Sequence, residues 1–179
     1  MHLYGRKWQE ALHKILMRLA LDDGYGFLVI EGPDASGKTD LIKLVREITD
    51  NASAIQDLHD EETRKLGQLV YARRYLKIDL GESGPSWESI PTIILGKLIE
   101  EVSANGVRPQ QRFLIIWDDI DKTLNTTEHA EINRQFLEEI HRPLQMYEYL
   151  TFLCTVTAAP GEGSEVLGIS AGTKHLLQL

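Results

Sequence analysis

A single cysteine, Cys154, rules out a disulfide within the chain and points to a reducing setting, cytoplasmic or, in a eukaryote, nuclear. No apolar stretch approaches the roughly 18 residues of a membrane span, and the N-terminus lacks the uninterrupted apolar core of a signal peptide, so no membrane association is expected. The six histidines are scattered without paired ligand spacing, which argues against a histidine metal site. Positive charge is also scarce. A net charge of -8 speaks against tight non-specific binding to nucleic acid, which depends on neutralising phosphates with Lys and Arg; nucleic acid is expected only indirectly. A local basic cluster, Arg64, Lys65, Arg73 and Arg74, is explained equally well as a solvated helix face. Internal repeats and low-complexity linkers are missing too. What remains is ordinary for a globular chain: 179 residues, 42% hydrophobic and 26% charged, which suits one domain over 1–179 with a proper core.

Against this background one segment stands out. Gly32-Pro33-Asp34-Ala35-Ser36-Gly37-Lys38-Thr39 fits the phosphate-binding pattern G-x-x-x-x-G-K-[ST] without a mismatch. It follows Phe27-Leu28-Val29-Ile30, short and apolar enough for a buried parallel strand. It precedes Asp40 to Glu47, where Leu41, Leu44, Val45 and Ile48 recur at helical spacing. Glycine at 32 and 37 permits backbone angles that turn successive N–H groups onto a phosphate. Lys38 supplies a point charge for the β- and γ-phosphates and is expected to be exposed. The Thr39 hydroxyl is suited to ligate Mg²⁺, and the backbone N–H groups of the helix start behind them, that of Asp40 included, add positive potential.

The remaining elements alternate. Trp8, Leu12, Ile15, Leu16 and Leu19 mark an amphipathic helix over Tyr4 to Ala20, ended by Asp22-Asp23-Gly24. Asp50 to Asp60 reads as a polar loop running into a helix that ends near Tyr71. A strand is expected at Tyr75 to Leu80, a turn at Gly81 to Pro85, and a helix from Ser89 through Val102, stopped by Asn105-Gly106. Phe113 to Trp117 reads as a strand, Ala130 to Leu144 as a helix, Leu150 to Val156 as a strand and Thr173 to Leu179 as another. Trp87 and Trp117 read as core aromatics. Such alternation predicts a three-layer αβα fold of the P-loop NTPase kind, with a mainly parallel sheet of about five strands.

The strand Phe113 to Trp117 runs directly into Asp118-Asp119. In open parallel sheets ligands sit at the carboxyl ends of the strands, so this pair can converge with the glycine-rich loop. Asp118 would hold Mg²⁺ beside Thr39, and Asp119 would orient or deprotonate an attacking water. Asp121 with Lys122 looks more like a solvated turn. Thr157, ending the next strand, could reach the γ-phosphate or that water; strand propensity accounts for it equally well, and Thr155 competes for the role two residues earlier.

With these residues in hand, the chain resembles the AAA+/STAND group of P-loop ATPases, particularly its origin-recognition and initiator-like branch. Leu3-Tyr4-Gly5-Arg6 ahead of a helix looks like the N-terminal h-x-G-R box, whose backbone lies against the adenine ring in that group. Gly32 to Thr39 matches Walker A, and Phe113 to Asp121 (FLIIWDDID) is similar to the hhhhDDhD Walker B of STAND and initiator proteins. Leu150 to Thr157 falls where the sensor-1 strand belongs, and Tyr75 to Val102 where the branch has its second strand and helix. The resemblance implies ATP as ligand with Mg²⁺, slow hydrolysis, and protein partners or oligomerisation through the ATPase domain. It departs in having Asp119 where typical AAA+ enzymes carry Glu, and in ending at Leu179 without a helical lid; Arg134 and Arg142 are arginine-finger candidates by position only. The absence of an Asn/Thr-Lys-x-Asp element favours adenine over guanine. Two other readings stand beside it. Phe27 to Asp34 also resembles the opening of thymidylate-kinase-like enzymes, whose acidic loop residue lies near the acceptor phosphate, although Arg73-Arg74-Tyr75 is a poor match to their Asp-Arg-Tyr/His element. The chain could also be a scaffold that keeps nucleotide without hydrolysing it.

Overall fold

The computed structural model describes residues 5–21, 26–80, 90–105, 112–121, 150–157 and 174–179. The first helix, α1 (Arg6–Leu21), buries Trp8, Ala11, Leu12, Ile15, Leu16, Leu19 and Ala20, the single stripe that helical periodicity demands. Strand β1 (Gly26–Gly32) leads through the glycine-rich loop into α2 (Lys38–Asp50), which turns Leu41, Ile42, Val45 and Ile48 inward. There follow α3 (Ala52–Gln56), α4 (Glu61–Ala72), β2 (Leu76–Asp79), α5 (Ile90–Asn105), β3 (Phe113–Trp117), β4 (Leu150–Thr157) and β5 (Lys174–Gln178).

One short helix departs from expectation. Ala52–Gln56 lies in the segment read as a loop. The Asn51 side chain accepts a hydrogen bond from the Ser53 N–H and starts a turn that carries Ala54 and Ile55 into the core. A polar composition hid this, because asparagine favours N-caps as well as loops. The next helix, α4, starts in the same way on Asp60, whose carboxylate accepts the Thr63 N–H. Hydrogen bonding from Thr63, its side chain foremost and its backbone N–H as well, holds the Asp60 carboxyl below its ordinary pKa.

Every pairing in the sheet is parallel, and the order is β2-β3-β4-β1-β5. Alternate strand residues separate the two faces. Leu28, Ile30, Leu114, Ile116, Leu153 and Leu177 join the helical residues of α1 to α4 in one core cluster. Phe27, Val29, Phe113, Ile115, Phe152 and Cys154 alternate with them and are buried too. Phe27 stacks on Phe152 with ring centroids 4.5 Å apart, as their register predicts. A parallel sheet buried on both faces explains why these strands read as continuous apolar runs, and the same burial pushes the Cys154 thiol pKa well up.

Part of the basic cluster has a structural use. At the C-terminal end of α1 the Leu19 carbonyl accepts the Tyr75 hydroxyl at 2.7 Å and Arg73 Nη1 at 3.1 Å. Both groups come from the α4–β2 connection and satisfy a helix-end acceptor that would otherwise go unpaired. Lys65 pairs with Glu61 one turn earlier on α4. The segments read as the turn after Leu80, Trp87, and the helix over 130–144 with Arg134 and Arg142 lie outside the described residues.

Candidate functional site

Because all strands run the same way, their carboxyl ends share one edge of the sheet. Gly32 at the end of β1 lies in register with Thr157 of β4, and Trp117 of β3 with Cys154. Strand β4 therefore stands between the strand that feeds the glycine-rich loop and the strand that feeds Asp118-Asp119. This insertion decides which side chains meet.

The loop is held from within. Lys38 Nζ donates to the carbonyl oxygens of Gly32 and Pro33, 2.8 Å each, drawing the two ends of the loop together. That leaves Lys38 only 6% exposed, a correction to the expectation of an exposed lysine. Ser36 N–H closes a turn on the Pro33 carbonyl at 3.3 Å. Ala35 and Gly37 take left-handed conformations, φ 58° and 88°. At Gly32 the requirement is space: a Cβ would lie 2.7 Å from Ser36 Oγ and 3.3 Å from Leu179. Gly37 is the N-cap of α2 and offers no side-chain oxygen, so no side chain caps the first amides of the helix. Ser36 Oγ is buried without a hydrogen-bond partner among the described residues. Residues 34 to 40 and Asp119 line a cleft of about 330 Å³.

Trp8 supports this loop from outside. Its indole N–H donates to the Gly37 carbonyl at 3.1 Å, and its ring lies where a Cβ on Gly37 would come within 3.3 Å. Helical periodicity identified Trp8 as a core position but carried no sign of a contact 29 residues away. The neighbouring Arg6 instead pairs with Glu10 at the exposed start of α1, and the Gly5 carbonyl accepts the Trp8 and Gln9 amides. Tyr4 lies outside the described residues.

Across the cleft the carboxylates are spread by the backbone. Asp119 has φ 51°, a left-handed conformation that costs a non-glycine residue about 1 kcal/mol or more. Asp118 and Asp119 consequently line different cavities. Asp119 borders the cleft of the loop, whereas Asp118 borders a second cavity of about 210 Å³ with Thr39, Ile42, Lys43, Arg46, Asp79 and Ile116. Thr39 lines both. The β2 end contributes Asp79, ion-paired with Arg46 of α2.

Strand β4 reaches both carboxylates. The Thr155 hydroxyl, fully buried, donates to Asp118 Oδ1 and accepts the Asp119 N–H at 2.7 Å. Two residues on, the Thr157 N–H donates to Asp121 Oδ1 at 3.1 Å, and the Thr157 hydroxyl lies 3.5 Å from Asp34 Oδ1. Asp121 is thus 6% exposed and tied to β4, a correction to its reading as part of a solvated turn. Its spacing from Asp118 was visible in the sequence; the strand it faces was not.

No protein-family model matches the chain, and neither does any curated protein. Among solved structures it is similar to the ORC2 protein of Aeropyrum pernix, determined as ADPNP-ADP complexes, with a TM-score of 0.52 at 15% identity. The match covers 99% of this chain and 48% of that one, so the chain spans about half the length of that structure. At this identity the likeness is one of fold: an α/β architecture with a parallel sheet of the P-loop NTPase-like kind.

Proposed function

We propose that the chain is an ATP-binding, slowly hydrolysing switch module of the AAA+/STAND type that acts within a larger assembly. The observation that carries this reading is the convergence of the Gly32 to Thr39 loop and Asp119 on one cleft, with Asp118 and Thr39 sharing the cavity beside it. In this reading the backbone N–H groups from Asp34 to Asp40 receive the phosphates, and Lys38 moves from the Gly32 and Pro33 carbonyls toward the β- and γ-phosphates. A hydroxyl and a carboxylate are hard oxygen donors, the set Mg²⁺ prefers, so Thr39 and Asp118 would hold the ion. Mg²⁺, when bound, neutralises charge on the triphosphate. Asp119 orients the attacking water and accepts its proton, and Thr157, whose hydroxyl lies near Asp34, would reach the γ-phosphate or that water. The Tyr4-Gly5-Arg6 segment would lie against adenine. The archaeal ORC2 structure, with its ADPNP and ADP, supports a nucleotide-binding role and, with the resemblance to initiators, protein partners.

A second reading, a nucleoside monophosphate kinase, draws on Asp34, whose carboxylate borders the cleft where an acceptor phosphate would lie. A thermal-shift panel with ATP, ADP, GTP and dTMP, each with and without Mg²⁺, separates the two. Ligand at about a hundred times its Kd stabilises by roughly 2.7 kcal/mol, equivalent to several degrees at about 2–4 °C per kcal/mol for a chain of this size. A Mg²⁺-dependent ATP shift without a dTMP response is the expected outcome. A dTMP shift would favour the kinase, and no shift with any nucleotide would overturn both.

A further inference from the structure

The split between Asp118 and Asp119 needs a physical cause. Consecutive residues at a strand end would ordinarily continue the chain, yet here the second takes a left-handed turn with no glycine to ease it. A single atom touches both residues: Thr155 Oγ1 donates to the Asp118 carboxylate and accepts the Asp119 amide. It is completely buried, so water cannot replace either bond. Strand β4 can present this hydroxyl because its register on β3 brings Thr155 beside the chain just beyond Trp117. Thr157, on the same face two residues later, engages Asp121 and Asp34 instead.

From this we infer that Thr155 is the positioning residue of the site. Its hydroxyl sets the Asp118 carboxylate toward the cavity of Thr39 and holds the Asp119 backbone so that the neighbouring carboxylate opens on the loop cleft. Thr155 touches neither nucleotide nor cation; it acts through Asp118 and Asp119. The inference rests on the proposed role of Asp118 in holding Mg²⁺. It differs from the sequence expectation, in which a hydroxyl of this strand meets the γ-phosphate directly.

The test measures ATP binding by calorimetry across a Mg²⁺ titration, for the parent chain and for Thr155→Ser, Thr155→Val and Thr155→Cys. Loss of a hydrogen bond to a charged group predicts about a tenfold or greater rise in the half-saturating Mg²⁺ concentration for Thr155→Val. ATP affinity in EDTA should stay within about twofold of the parent. Serine keeps the hydroxyl and should restore the parent Mg²⁺ requirement. Cysteine, a weak donor of similar size, should fall between and supplies the comparison if the valine protein does not fold. In an Asp118→Asn background the Thr155 substitutions should add nothing further to the Mg²⁺ requirement. An unchanged Mg²⁺ titration in folded Thr155→Val or Thr155→Cys overturns the positioning role while leaving the nucleotide reading intact. A parent chain whose ATP binding ignores Mg²⁺ overturns the role assigned to Asp118, and this inference with it.

Discussion

The glycine-rich loop and the carboxylate cluster meet at one cleft through Asp119 but are built by opposite means. The loop is contiguous: eight residues, their turn closed by Ser36 on Pro33 and by Lys38 on Gly32 and Pro33, with a left-handed glycine where the helix starts. The carboxylates owe their arrangement to a strand more than thirty residues away, through Thr155 to Asp118 and Asp119 and through the Thr157 amide to Asp121. A local device tolerates change elsewhere in the chain, whereas a non-local one depends on sheet order and register. The two should therefore fail differently. In the proposed function the first governs phosphate binding and the second governs the Mg²⁺ requirement and turnover.

The sharpest break in that comparison comes from Asp119→Asn. If Asp119 positions and deprotonates water, kcat for ATP hydrolysis falls by about 100-fold or more, while ATP affinity stays within about twofold of the parent. Steady-state kinetics together with calorimetry separates the two; parent-like turnover in the variant would remove Asp119 from the water-activating role, and no turnover in either protein would favour the non-hydrolysing scaffold. Lys38→Ala should do the reverse and weaken ATP binding by about 10–100-fold, the loss of a contact between a charged donor and phosphate. Because Lys38 is buried and ties two carbonyls, circular dichroism should accompany the titration to show that the fold persists. Parent-like affinity in the folded variant would remove the loop from the site.

Smaller effects sharpen the contrast between local and distant support. Trp8→Phe keeps an aromatic ring but removes the indole N–H bonded to the Gly37 carbonyl. That carbonyl retains the Leu41 amide, so the cost should be about 1 kcal/mol, a fall in Tm of about 2–4 °C. A matching loss of ATP affinity would show that the loop needs α1 as well as its own geometry. The mildest change is Asp60→Ala, which deletes the cap of α4 far along the chain from the carboxylates. Since Asp60 is exposed, the low end of the N-cap range applies, about 0.5 kcal/mol. The Asp60 carboxyl has a folded pKa below its unfolded one, so this contribution is complete above about pH 4 and is lost as pH falls through the lower folded value. Denaturation of parent and variant should thus differ at neutral pH and converge in acid, with nucleotide binding unaffected.

Much of the architecture was legible because parallel strands buried on both faces leave unbroken apolar runs, as in Phe113 to Trp117 and Leu150 to Val156. The helix of α1 was legible for the complementary reason, a single apolar stripe at helical spacing. The helix Ala52–Gln56 was not, since Asn51 and Ser53 suit a loop as readily as a cap. Burial of Lys38 and Asp121 was hidden as well. Charge predicts exposure until a particular partner is known: two carbonyls for the lysine, a strand amide for the aspartate. Thr155 and Thr157 share a face of β4, so period-two patterning could never separate their roles.

By itself the sequence determined the loop, the elements on either side of it and the strand ending in two aspartates. Each of these is a short-range consequence of side-chain size, glycine freedom and apolar spacing. Only the tertiary structure decided that β4 lies between β1 and β3, that Thr155 rather than Thr157 grips Asp118, and that Trp8 braces Gly37. The physical reason is that hydrogen bonds between strand ends depend on which strands are neighbours and in what register. That choice is made by the packing of the whole core, not by any local run of residues.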